Sequence, residues 1–149
     1  FDTLKPLHNL NNNYKSLLIV ASKLHSIGST LNFYKSNDNA FDFILNGLNY
    51  DFSHTSRIVV AHTIKFSKKS LPTKVEILKY EELLPSLNVM QWMSFMISLN
   101  IAINQDLSRP KVFYELQGDV LKIELSNNSF LIQSNIDKLE TPEDLVVEL

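Results

Sequence analysis

The sequence predicts an α+β fold: a mainly α-helical bundle, residues 1–108, followed by a small β-rich C-terminal subdomain, residues 109–149, packed on it as an antiparallel meander. Before Pro110, apolar residues recur at the three- and four-residue spacing of amphipathic helices. After Pro110, apolar and polar residues alternate as they do in strands. With 149 residues, of which 44% are hydrophobic, the chain can bury one substantial core.

The first three predicted helices lie in the first half of the chain. Residues 14–27 carry apolar side chains on one helical face, and Gly28 is predicted to cap this helix at its C-terminus. A shorter amphipathic helix follows around residues 41–48. Ser53 is predicted to N-cap a third helix that ends in a basic turn after Phe66.

Two further helices are predicted before Pro110. Thr73 and Glu76 have the spacing of a capping box, which indicates a fourth helix running toward Leu84. Residues 87–104 are apolar almost throughout, so a membrane span has to be weighed. Because polar residues interrupt this stretch, among them Gln91, Ser94, Ser98, Asn100 and Asn104, and no basic cluster flanks it closely, a buried core helix is favoured.

The C-terminal part reads as three short strands. Their alternating apolar residues are Val112, Tyr114 and Leu116, then Leu121, Ile123 and Leu125, then Phe130 and Ile132. Residues 117–119 and 127–129 are predicted as the turns between them. Residues 143–149 fit either a helix stub or a final strand.

Composition limits the classes of partner. A formal net charge of −2 provides no general attraction for nucleic acid or a membrane surface, so neither is expected as a partner and any anion site must be local. The chain contains no cysteine, which excludes disulfides and thiolate metal sites and agrees with a cytoplasmic location. Its first residues resemble neither a start of translation nor a secretion signal, and we expect a fragment of a longer protein.

Motifs that would indicate a catalytic site within this chain are missing. The three glycines, Gly28, Gly47 and Gly118, are too widely spaced for a phosphate-binding P-loop. No GxSxG nucleophile elbow occurs. The carboxylates at 81–82 and 140–148 are interpreted as solvated surface groups, and no residue is predicted to be catalytic.

The four histidines are the chain's candidate imidazole ligands for a metal ion. His8 is expected to be exposed near the start of the chain, whereas His25, His54 and His62 fall in or beside predicted helices. His54 and His62 are separated by a little over two helical turns, too far along the axis to share one ion. A metal site would need His25 and ligands from elsewhere, so core or surface histidines are the default interpretation.

The one local concentration of positive charge is Lys65, Lys68 and Lys69, with Lys74 beyond Pro72. From the sequence alone, an ordinary solvated helix end is the favoured interpretation of these lysines. Alternatively, they form a patch that neutralises phosphate groups through compact ammonium charges.

Three segments resemble, in order and spacing, the C-terminal region of the exopolyphosphatase/guanosine pentaphosphate phosphohydrolase (Ppx/GppA) family. They are LLIVASKLHSIG, YKSNDNAFDFILNG and SRIVVAHTIKFSKK. The resemblance covers residues 17 to about 104 and implies an HD-like helical bundle. Where HD phosphohydrolases have an adjacent His-Asp pair, this chain has His25-Ser26, and the distant acidic position near Ala102 reads Ile103-Asn104-Gln105. Serine is a poor metal ligand, so a degenerate site without metal is expected.

The resemblance also implies where chemistry takes place. In this family an N-terminal actin-like part hydrolyses terminal phosphoanhydride bonds with a glutamate base and magnesium. The helical C-terminal part helps to form a channel for polyphosphate and a homodimer. Lys65, Lys68 and Lys69 match the basic positions of the family's third-helix turn and are the candidate polyphosphate contacts, with no cofactor expected in this chain.

Two other functions remain open at this point. The chain could be an inert HD-like signalling or adaptor module that makes protein contacts alone. It could also be a free-standing metal phosphohydrolase that uses His25, His54 and His62, which the serine at position 26 disfavours. Polyphosphate and guanosine pentaphosphate are not distinguished as substrates of the parent enzyme.

Overall fold

A computed structural model describes residues 1–31, 33–48, 52–105, 108–127 and 129–149, apart from the side chain of Phe33. The helices are α1 (Lys5–His8), α2 (Asn12–Leu24), α3 (Ser36–Gly47), α4 (His54–Lys65), α5 (Lys74–Leu78), α6 (Leu87–Asn104) and α7 (Phe130–Ile136). Short 3₁₀ turns lie at Ile27–Thr30 and Phe33–Lys35. The strands are β1 (Val112–Gln117), β2 (Val120–Leu125) and β3 (Val146–Glu148). This confirms the α+β class with a helical bulk.

Local sequence signals account for the helix starts. The Ser53 hydroxyl accepts a hydrogen bond from the backbone N–H of Ser56, as expected for an N-cap of α4. Glu76 accepts hydrogen bonds from both the backbone N–H and the hydroxyl of Thr73, so the predicted start of α5 is confirmed. That helix ends earlier than predicted, at Leu78, and turns replace its second half.

Helix α6 is the central element of the core. Trp92, Met93 and Phe95 are fully or almost fully buried on successive sides of it, which confirms the predicted core helix. Among the described residues, no helix is long and apolar enough to cross a membrane.

Both halves of the chain contribute to one large hydrophobic cluster. Met90 and Trp92 of α6 belong to it together with Leu121 of β2 and Ile132 of α7. The β-rich segment is therefore packed on the helical part, while the boundary between residues 108 and 109 stays a prediction. A second cluster joins α2, α3 and α4 through Ala21, Ala40, Ile44, Val60, Ala61, Ile64 and, from α6, Ile97.

The sheet differs from the predicted antiparallel meander. Strands β1 and β2 form the expected hairpin, with Gly118 at a positive φ of 59° in the two-residue turn. Strand β3 pairs with β2 in parallel, so the three-stranded sheet is mixed and has the order β1-β2-β3. The ambiguous segment at residues 143–149 supplies this last strand.

The strand predicted at Phe130 and Ile132 is wrong, because this segment is the helix α7. The Ser129 hydroxyl accepts a hydrogen bond from the backbone N–H of Ile132 and caps the helix. Ile132 and Ile136, four residues apart, are both buried, whereas Phe130 is exposed. Two alternating apolar residues were too short a pattern to distinguish the periods. The turn predicted at 127–129 includes Asn128, which lies outside the described residues.

Gly28 is not the helix cap that the sequence predicted. Helix α2 ends three residues earlier, with His25 as its C-cap, and Gly28 is buried in the following 3₁₀ turn. A Cβ atom on Gly28 would lie 1.9 Å from the carbonyl oxygen of Ser36 and 2.5 Å from the backbone nitrogen of Ala40. The residue therefore permits the close approach of this turn to α3.

Candidate functional site

The candidate site is the loop that leaves α4, residues 65–74, which we call the basic loop. It contains Lys74 and the three sequence-predicted lysines, Lys65, Lys68 and Lys69, which are close neighbours along the chain. The loop begins where Phe66, buried in the core, caps α4 by donating its N–H to the carbonyl of His62. The packing of Phe66 therefore fixes the end of α4 from which the loop continues.

Successive carbonyl groups of the basic loop are held by neighbouring elements. Asn37 of α3 donates to the carbonyl oxygen of Ser67 at 2.9 Å. Ser98 of α6 donates to that of Lys68 at 2.9 Å, and the backbone N–H of Glu140 donates to that of Lys69 at 2.7 Å. Three separate parts of the chain therefore fix the backbone from which the lysines project.

The lysine side chains differ in exposure. Lys68, Lys69 and Lys74 are exposed, whereas Lys65 is half-buried with its ammonium 4.2 Å from the ring centroid of Phe41. This cation–π contact gives Lys65 a part in packing as well as charge. Lys68, Lys69 and Lys74 are therefore the members whose charge is most available to a ligand.

Two carboxylates partly balance this charge. The pKa of Glu76 is lowered, chiefly because the backbone N–H of Thr73 donates to its carboxylate, with further lowering by the Thr73 hydroxyl and the charges of Lys68 and Lys65. Glu140 accepts a hydrogen bond of 2.8 Å from the backbone N–H of Leu71. Carboxylates thus occupy two of the loop's amide donors, and its lysines remain the groups that could meet an external anion.

A cleft of about 160 Å³ lies beside Lys68 and Lys69. Its other lining residues are Ser67, Ser98, Ile101, Ala102, Gln105, Asn135 and Leu139. Ala102, near which the resemblance places the distant acidic position, therefore lies beside the basic loop. Asn135 donates to the side-chain oxygen of Gln105 at 2.7 Å, and both amide side chains line the cleft.

His25 and Ser26, which the resemblance predicts to be a degenerate HD position, lie at the end of α2. The Nδ1 atom of His25 is 2.7 Å from the carbonyl oxygen of Ser22, and Ser26 is exposed. Within the described residues, no group of three or more histidine, cysteine, aspartate or glutamate side chains is arranged to hold a metal ion. His25, His54 and His62 are thus not brought together as the metal-hydrolase alternative requires.

His62 is a core residue. Its ring lies 4.8 Å from that of Phe41 and 4.4 Å from that of Tyr80, and its Nδ1 atom donates to the carbonyl of Ile58 at 2.9 Å. The Nε2 atom is buried and has no hydrogen-bond partner among the described residues. Burial lowers the pKa of His62, and the nearby charge of Lys65 lowers it further, so the neutral ring is favoured.

The prediction that His8 is exposed is wrong. Its Nδ1 atom accepts from the backbone N–H of Leu10 at 2.9 Å, and its Nε2 atom lies 3.1 Å from the carbonyl oxygen of Phe1. The ring also packs edge-on against Trp92 at 5.6 Å. The short helix α1, which the sequence pattern did not indicate, carries His8 into the core.

Sequence reasoning located the lysines but missed the groups that hold their loop. Asn37 and Ser98 are each about 30 positions from their partners, and Glu140 is 69 positions from Leu71. A polar serine within the apolar run of α6 was the only available signal, because a buried hydroxyl requires a hydrogen-bond partner.

Comparison of the chain with models of known protein families and with curated proteins finds no match in either.

Proposed function

We propose that this chain is the C-terminal accessory domain of an exopolyphosphatase or guanosine pentaphosphate phosphatase. In this proposal, Lys65, Lys68 and Lys69 contact the phosphate groups of the substrate, and the chain contributes to a homodimer. Hydrolysis of the terminal phosphoanhydride, with magnesium, takes place in an actin-like part outside this sequence. The protein is proposed to work in the cytoplasm.

The observation that carries the proposal is the anchoring of the basic loop. Hydrogen bonds from Asn37, Ser98 and Glu140 hold three successive carbonyls, so the backbone under Lys68 and Lys69 is already ordered before a ligand binds. Preordering reduces the entropy lost on binding. Four lysines stand against the two carboxylates of Glu76 and Glu140, which leaves a local excess of positive charge in a chain of net charge −2.

The arrangement suits a linear polyanion better than a single tightly held phosphate. The exposed ammonium groups of Lys68 and Lys69 lie beside a shallow cleft, and two loop amides are already occupied by carboxylates. Binding should therefore depend mainly on charge and be weakened by salt.

The test is binding of long-chain polyphosphate to the purified chain at low and high salt. The double variant Lys68→Ala/Lys69→Ala removes two of the three exposed lysines of the basic loop, and Lys5→Ala/Lys23→Ala is the matched control with two exposed lysines on α1 and α2. We expect salt-sensitive binding that falls at least about tenfold in the first variant and much less in the second. Equal losses in both would indicate unspecific attraction and overturn the lysine assignment.

Lys65 is tested separately because it packs on Phe41. Lys65→Ala should weaken polyphosphate binding and lower the free energy of unfolding, which must be measured alongside. Absence of any polyphosphate binding by the folded chain would favour the alternative function, an HD-like adaptor module that makes protein contacts.

A further inference from the structure

The outer strand of the sheet presents an open edge with exposed aromatic residues. In the described part of the chain, β1 pairs with β2 alone and forms one end of the sheet order β1-β2-β3. Phe113 is 66% exposed and Tyr114 43% exposed. An edge strand of six residues with apolar side chains readily pairs with another strand.

The hydrogen-bond pattern identifies the backbone groups at that edge. Ser126 donates its N–H to the carbonyl of Lys111 at 3.0 Å, so Lys111 faces β2. Because successive residues of an antiparallel strand face alternate sides, Phe113 and Glu115 also face β2. The N–H and C=O groups of Val112, Tyr114 and Leu116 therefore face the open edge.

From these features we infer that β1 is a homodimerisation edge, which pairs antiparallel with β1 of a second copy about a two-fold axis through Phe113. The inference rests on the dimerisation part of the proposed function and names its surface. Two three-stranded sheets would join into one continuous six-stranded sheet.

The charges along β1 favour this register and favour a second copy of the chain as the partner strand at the open edge. When the axis passes through Phe113, the Phe113 residues of the two chains lie opposite each other. Lys111 of each chain then lies opposite Glu115 of the other. Within each chain Glu115 already lies opposite Lys122, so Lys122, Glu115 and the partner's Lys111 would form a row of alternating charge across the sheet.

The neighbouring registers are less favourable. An axis through Glu115 would place two like charges directly opposite each other. An axis through Tyr114 would place Phe113 opposite the charged Glu115 and leave Lys111 without an acidic partner. Of these three registers, only the one with its axis through Phe113 places opposite charges opposite each other along the strand.

The test uses single cysteines in a chain that has none of its own. Phe113→Cys, Tyr114→Cys and Glu115→Cys each mark one register, and Phe130→Cys, an exposed aromatic position on α7, is the control for random collisions. In the proposed register, the two copies of residue 113 lie about 4.5 Å apart at Cα, within disulfide range. Copies of residues 114 and 115 would be displaced along the strand beyond that range.

We expect Phe113→Cys to form disulfide-linked dimers under mild oxidation at least about tenfold faster than the other three variants. The measurement runs at about 1 to about 100 μM protein, because so small an interface should have a Kd in the micromolar range. Preferential cross-linking at 114 or 115 would overturn the register, and rates no higher than that of Phe130→Cys would overturn the dimer edge itself.

A charge exchange provides a second readout that retains Phe113. Glu115→Lys should shift the chain toward monomer in sedimentation equilibrium, and the double variant Lys111→Glu/Glu115→Lys should restore the dimer. Failure of the double variant to recover, with the helical circular dichroism signal intact, would contradict the pairing of Lys111 with Glu115. Polyphosphate binding by the basic loop is measured independently, so loss of this inference and loss of the phosphate-binding proposal are distinguishable.

Discussion

Ser98 on α6 donates a hydrogen bond of 2.9 Å to the carbonyl oxygen of Lys68 in the basic loop. Ser98 is almost completely buried, so this bond joins the core helix directly to the candidate phosphate-binding segment. Four residues earlier on the same helix, Ser94 is also buried, but its hydroxyl has no partner in the described part of the chain. The two serines form a natural matched pair for measuring what the bond contributes.

Ser98→Ala should lower the free energy of unfolding by about 1 kcal/mol, because it leaves the carbonyl of Lys68 without this donor. Ser94→Ala should change it by less than about 0.5 kcal/mol or stabilise the protein, since a buried unpaired hydroxyl is removed. Chemical denaturation of both variants measures the difference. A larger loss for Ser94→Ala than for Ser98→Ala would contradict the assigned hydrogen bond.

Elements with strong local signals could be predicted from the sequence. Helix α6 spans the residues expected from its apolar run, and Ser53 and Thr73 mark the starts of α4 and α5 as their capping patterns indicate. The hairpin of β1 and β2 follows from the alternation of apolar and polar residues on both sides of the turn at Gly118. In each case the decisive interactions lie within a few residues of one another.

The parts that could not be predicted depend on distant contacts. Twenty residues separate the end of β2 at Leu125 from the start of β3 at Val146. The parallel direction in which these strands pair has no local sequence signature. The anchoring of the basic loop by Glu140 crosses 69 positions. Gly28 was misread for the same reason, since only the approach of α3 explains why a side chain is not tolerated there.

Gly28→Ala should destabilise the protein by at least about 3 kcal/mol, because the added Cβ would overlap the backbone of Ser36 and force α3 away. Gly47→Ala is the control: among the described residues its Cβ would meet only the Phe43 ring, at 3.7 Å, and alanine is the better helix former by up to about 1 kcal/mol. Thermal unfolding followed by circular dichroism compares them. Similar melting temperatures for the two variants would refute the close approach at Gly28.

The buried histidine of α4 should make stability depend on pH. Burial lowers the pKa of His62 in the folded state, so the unfolded chain binds a proton more readily. Its contribution to stability is present above the unfolded pKa of about 6.5 and is lost as the pH falls below it, at up to about 1.4 kcal/mol per pH unit. His62→Leu should therefore lose less stability than the wild type between about pH 7 and about pH 5.

His8 should also make the free energy of unfolding fall as the pH falls, because burial is the main cause of its lowered pKa. The double variant His8→Leu/His62→Leu should show a weaker pH dependence than either single variant. Urea titrations at several pH values measure how the free energy of unfolding of each variant changes with pH. A slope for His62→Leu equal to that of the wild type would show that the His62 ring accepts a proton in the folded protein as easily as in the unfolded one.

Glu140→Gln should strengthen polyphosphate binding. Glu140 accepts from the N–H of Leu71 at 2.8 Å, so its charge lies at the same loop as Lys69 and opposes the approach of an anion. Glutamine retains an oxygen acceptor for that N–H, and the loop should keep its conformation.

The control is Glu124→Gln, which removes an exposed charge from β2 and equally changes the net charge. Measured at low salt, affinity should rise by about twofold to tenfold for Glu140→Gln and by less for Glu124→Gln. Equal effects would mean that only net charge matters, and a loss of affinity would mean that the carboxylate of Glu140 orders the loop more than it repels the ligand.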